Sequence, residues 1–125
     1  MIPREECAEA AALLRQATGV RRVVFSLQDG IAHYDDAVLE ERAAGAACVA
    51  ALMGAAGLSA EVFDLGSPQG VIVYGEDVQL IVRPVGTQLL MIVVVDLESS
   101  GHDVYRQVRT VARRMEERAA EPGLV

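Results

Sequence analysis

Lysine is absent from this 125-residue chain, and all eleven basic residues are arginine. That excludes Schiff-base chemistry, a lysine base and the lysine of a phosphate-binding loop. Basic charge is short overall, with a formal net charge of -7. A field of that sign disfavours nonspecific nucleic-acid binding, so no nucleic-acid partner is expected. Cysteine is limited to Cys7 and Cys48, which stand in no metal-ligand or redox spacing. The first residues carry no basic-then-apolar signal, and the expected compartment is a reducing cytoplasm. Aromatic residues make up only 4%. The hydrophobic share is nonetheless 52%, and its excess is Ala, Val and Leu. A small monomer has difficulty hiding that much apolar surface, which is a first indication of an oligomer.

The length fits one domain over 1–125, with a frayed tail at 119–125. Pro3, the early glutamates and the stripe Cys7, Ala10, Ala11 and Leu14 predict a helix over 3–17, closed by Gly19. Residues 20–27 read as a strand, Asp29–Gly30 as a tight turn and 31–34 as a short returning strand. A long helix is expected over 37–64, weakened at Gly54 and Gly57. No charged residue occurs from Ala43 to Ala60, so this helix should be buried all round. Its side chains still sort by size. Val38, Leu39, Val49, Leu52 and Met53 form a bulky side suited to a sheet. Ala43, Ala44, Ala47, Cys48, Ala51, Gly54 and Ala55 form a small side that lets another helix approach closely. The chain offers no spare helix for that role, and a second copy is the economical partner.

Leu89 to Val95 is an unbroken apolar run, but Glu76, Asp77, Arg83, Pro84 and Gly86 interrupt the region before it. A membrane helix needs about 20 apolar residues, so no membrane insertion is expected. Three strands over 70–75, 78–85 and 88–96 fit better, joined by two hairpins. If Gly75 pairs with Val78, then Val73 faces Leu80 and Val71 faces Val82. Pro84 then lies beyond the end of the preceding strand, where its missing N–H does no harm. Strands apolar on both faces need cover on both. The long helix would take one face and the two terminal helices the other. The last helix is expected over 100–119, with a Ser100–Asp103 capping box and a stripe of Val104, Val108, Val111, Ala112 and Met115.

No catalytic set is convincing. His33, Asp35 and Asp36 could suggest metal or acid–base work, but the end of an edge strand and a helix cap explain them better. The Ser, His and Asp of "SSGHD" are too close along a helix start to form a triad. Cys48 lies among alanines with no cation nearby, as an inert packed thiol would. No metal or other cofactor is expected. Arg106, Arg109 and Arg113 lie on a basic side of the last helix. It is read either as a docking surface for an acidic partner or, more simply, as a solvated face.

"GVRRVVFSLQDG" (Gly19–Gly30), the Ala-rich helix and "GVIVYGEDVQLIVRPVG" (Gly70–Gly86) together resemble the roadblock family. These are the dynein-light-chain-like domains with bacterial MglB-type members, and the resemblance spans roughly 3–118. It implies an α+β fold, ordered α-β-β-α-β-β-β-α, around a five-stranded antiparallel sheet. It implies homodimers or heterodimers formed through the second helix and the third strand, which brings Val71 and Val73 into the interface beside the small helix face. It further implies a small Ras-like GTPase as partner, regulated by binding and without catalytic residues of the chain's own. A sensor kinase accompanies such proteins. The all-Arg, Ala-rich composition suits a GC-rich bacterial genome. The alternatives are a dimeric adaptor in a kinase-linked complex that leaves GTP hydrolysis unchanged and, ranked lower, a small-molecule sensor.

Overall fold

The computed structural model describes residues 2–17, 19–37, 39–98 and 102–120. The helical spacing of Cys7, Ala10, Ala11 and Leu14 produces α1 (Arg4–Leu14), with all four residues buried. It stops at Leu14 rather than 17 because the N–H groups of Gln16 and Ala17 bond three residues back, to Leu13 and Leu14. β1 (Val20–Leu27) turns at Asp29–Gly30 into β2 (Ala32–Asp35), with Gly30 at φ +90. Ile31 belongs to that turn rather than to the strand, because its carbonyl accepts the N–H of Leu27 at 2.8 Å. The pairing slips between Phe25 and Ser26, which moves β2 along to end at Asp35.

α2 (Leu39–Val62) runs unbroken through Gly54 and Gly57. It ends at Val62, two residues short of the expected 64. Asp64 adopts φ +59, its N–H reaches the carbonyl of Glu61, and the N–H of Leu65 reaches that of Ala60 at 2.8 Å. This is the paired closure that usually employs glycine. β3 (Val71–Tyr74), β4 (Val78–Val85) and β5 (Leu89–Asp96) follow, and α3 (His102–Ala120) completes the order. The Gly75 N–H bonds the Val78 carbonyl at 2.8 Å, and Val71 faces Val82 and Val73 faces Leu80, as that pairing predicts. Pro84 pairs with Leu90 of β5 and has no partner in β3. Expectations for Val38, the Ser100 capping box and the tail beyond residue 120 lie outside the described residues.

All neighbouring strands are antiparallel, in the spatial order β2-β1-β5-β4-β3. The central place of β5 explains its continuous apolar run. Leu89, Met91, Val93 and Val95 enter the core beneath α1 and α3, while Leu90 and Ile92 enter the one beneath α2. Buried aliphatic side chains of this size contribute about 1.5–3 kcal/mol each, so both layers are held chiefly by apolar burial. This arrangement leaves β2 and β3 as sheet edges.

Candidate protein-binding surfaces

α2 packs on the sheet through one side only. Ala46, Val49 and Ala60 are buried, and Leu52 and Met53 rest against the cluster of Val24, Val82, Leu90 and Ile92. Ala43, Ala44, Ala47, Cys48, Ala51, Gly54 and Ala55 are all exposed. The sequence predicts burial all round. Within one chain, the small side has no cover, and Cys48 is an exposed thiol rather than a packed one. A methyl group added at Gly54 or Gly57 would meet nothing within 4 Å. Glycine in a helix interior costs about 1 kcal/mol against alanine, and packing within the chain gives no reason for that cost.

Glu41–Val62 is long and apolar enough to cross a membrane by length and composition, with mean hydropathy 1.7. α2 nevertheless connects β2 and β3 of one sheet and buries residues against it. Insertion would pull that sheet apart. Only 17% of its apolar window is buried inside the chain, which leaves a surface suited to a protein partner.

Beside α2, β3 presents a second uncovered element. It pairs only with β4, and Ile72, Val73 and Tyr74 are 43%, 41% and 67% exposed, while Val71 is half-buried. A free, apolar strand edge is an invitation to pair with another chain. Sequence reasoning missed a third patch at the end of α2, where Leu58, Val62, Phe63 and Leu65 are all exposed. A single sequence gives little signal for it, since large apolar residues near a helix end normally turn inward.

Arg106, Arg109 and Arg113 are exposed on α3, opposite the buried stripe of Val104, Val108, Val111, Ala112 and Met115. Arg118 instead approaches Glu6 at 3.7 Å and ties α3 to α1.

The groups that could suggest catalysis are bound up in the scaffold. Arg22 donates to both oxygens of Asp35, at 3.0 and 2.6 Å, and the Asp35 side chain is fully buried. That bond pushes the Arg22 pKa upward. The Asp35 carboxylate also accepts the N–H of Ala37 at 2.9 Å. Asp36 receives Arg15 at 2.6 Å and the Val23 N–H at 3.2 Å. These two aspartates fasten β1, β2 and α1 together, and the cap position next to Leu39 of α2 lies outside the described residues. His33 Nε2 lies 2.8 Å from the carbonyl oxygen of Ile2. Among the described residues, no group of three His, Cys, Asp or Glu side chains could hold a metal ion. Burial, with a smaller contribution from Glu6, pushes the Cys7 thiol to about 12, which keeps it protonated and unreactive.

No family model matches the chain, and a search of curated proteins finds no match. Solved structures do match. A Roadblock/LC7 domain from Streptomyces avermitilis superposes with TM-score 0.82 at 15% identity, over 90% of this chain and 97% of that one. Myxococcus xanthus MglB gives 0.81 at 15% identity, over 92% and 94%. An MglB with a tetrameric arrangement gives 0.79 at 21% identity, over 94% and 90%. Element order, sheet and helix placement agree across nearly the whole chain, which has the roadblock-like fold of the MglB and Roadblock/LC7 domain proteins.

Proposed function

We propose that this chain is a dimeric regulator or scaffold of a small Ras-like GTPase in bacterial cytoplasmic signalling. The observation that carries the reading is the uncovered small face of α2 lying beside the free apolar edge of β3. Two copies meeting there would bury both elements, join two sheets through β3 and give Gly54 and Gly57 a purpose in close helix approach. The likeness to MglB, one example of which has a tetrameric arrangement, supports self-assembly. A related domain in place of the second copy would satisfy the same surfaces.

Regulation would come from binding that favours one arrangement of the GTPase switch regions, with no residue of this chain entering the chemistry. Sedimentation velocity checks the assembly, and a dimer is expected at micromolar concentration. Single-turnover GTP hydrolysis with and without the chain checks the activity. Acceleration marks a GTPase-activating regulator. Unchanged turnover despite binding marks the second reading, a dimeric adaptor within a kinase-linked complex. The exposed arginines of α3 favour that reading because they offer a docking surface apart from the dimer contact.

A further inference from the structure

On the face opposite α2, α3 packs over β4 and leaves most of β3 exposed, with Tyr105 reaching Tyr74. Ile72 and Tyr74 lie on this face, since Val71 and Val73 take the other. Between β3 and α3 runs a groove of about 460 Å³, lined by Ile72, Ile81, Arg83, Tyr105, Val108 and Arg109, with the Gln69–Gly70 segment at one end.

Three features of the groove bear on what it could hold. Its apolar residues come from three elements, Ile72 from β3, Ile81 from β4 and Val108 from α3. Tyr105 is held in place at its margin, because its hydroxyl donates to Gln79 Oε1 at 2.5 Å from a glutamine that is 1% exposed. Its cations are available. Arg15, Arg21, Arg22 and Arg118 are engaged with carboxylates, whereas among the described residues Arg83 and Arg109 form no ion pair. The chain is acidic overall, at -7, so two uncommitted guanidinium groups beside an apolar floor create a local field opposite to that of the molecule.

We propose that this groove receives an acidic amphipathic helix of a partner protein. The helix would set its apolar stripe on Ile72, Ile81 and Val108 and its carboxylates on Arg83 and Arg109. The four residues of β3 span roughly 13 Å, the length of about two and a half helical turns. Arginine suits the role because its planar fork binds carboxylates through paired hydrogen bonds. Pairing of β3 with a second copy would occur in the plane of the sheet and leave this face open. The proposal rests on the reading of the chain as a protein-binding module, and it requires neither the dimer nor the GTPase.

The test uses two fluorescein-labelled helical peptides with the same leucine stripe, one carrying glutamate and the other lysine at its polar positions. The net charge of -7 favours the lysine peptide over the molecule as a whole. Anisotropy titrations should show the glutamate peptide binding at least about tenfold more tightly, the usual size of an effect from one or two charge-assisted contacts. The double substitution Arg83→Glu and Arg109→Glu should reverse the preference, and the single Arg109→Gln, on an exposed helix position, should weaken it without loss of helicity. Amide shifts in NMR spectra should concentrate at 72–74 and 105–109. Preference for the lysine peptide by the unaltered protein, no binding of either, or a preference that survives the double substitution overturns the proposal. Failure of GTPase binding or of dimerisation, measured separately, leaves these outcomes unaffected.

Discussion

Asp35 shows how much of this molecule depends on single pairs. Its side chain is fully buried and reaches a guanidinium that keeps 25% of its exposure, so the pair is partly desolvated. Removing one member of a buried pair leaves the other uncompensated. Asp35→Ala is expected to cost about 2–3 kcal/mol, below the full range for buried pairs because Arg22 retains some solvent. Urea unfolding should show this as a lower midpoint with an unchanged slope. Cys7 supplies a pH dependence. Its thiol ionises near 9.0 when unfolded but at about 12 in the folded chain. Between those values the unfolded chain holds fewer protons, so stability is full below about 9 and falls as pH rises towards about 12. Cys7→Ala should flatten the decline in that window in a pH series of thermal unfolding, and an unchanged slope would show that other groups cause it. The burial of Cys7 was legible from the helical stripe, whereas the ion pair of Asp35 was not. The bonds of Asp35 and Asp36 to Arg22 and Arg15 could not be read in advance, because those arginines come from segments earlier in the chain that only the fold brings alongside.

At the scale of elements, the sequence was more informative. Strand register followed from the hairpin turn: once Gly75 pairs with Val78, Val71 stands opposite Val82 and Val73 opposite Leu80, and these are the observed pairs. Helix faces followed from side-chain size, which separated Val49, Leu52 and Met53 from the exposed Ala43, Ala44, Ala47, Ala51 and Ala55. Ends were read less well, because a turn such as that at Asp64 depends on local hydrogen bonds that composition does not reveal. The glycines of α2 separate the chain's own stability from its assembly. Gly54→Ala meets nothing within 4 Å in one chain. It should therefore raise monomer stability by about 0.5–1 kcal/mol through helix propensity. The same methyl should weaken a close helix contact, so sedimentation should show a higher dimer dissociation constant. Gly45→Ala is different, since its methyl would lie 2.8 Å from the Arg22 guanidinium that Asp35 holds. There the propensity gain should be cancelled. A charged side chain at Ala47 or Ala51 should yield monomer or aggregate while the circular dichroism of the fold remains. A dimer unchanged by Ala47→Glu would place the contact on another face.

The molecule as a whole has a well-covered centre and bare margins. β5 is enclosed on both faces, whereas the small side of α2, the edge of β3 and the groove beside α3 all lie toward solvent. No catalytic constellation competes with these surfaces among the described residues, where the acids and bases serve the scaffold. The proposed function accordingly consists of binding at these surfaces. A ligand or partner shifts a conformational equilibrium only by its difference in affinity for the two states, so a regulator of a GTPase must distinguish them. Calorimetric titration of this chain into its cognate Ras-like GTPase, loaded first with GDP and then with a non-hydrolysable GTP analogue, measures that difference. Affinities that differ by at least about tenfold, or about 1.4 kcal/mol, are expected between the two states. Equal affinity for both, or binding to neither, would contradict a regulatory role.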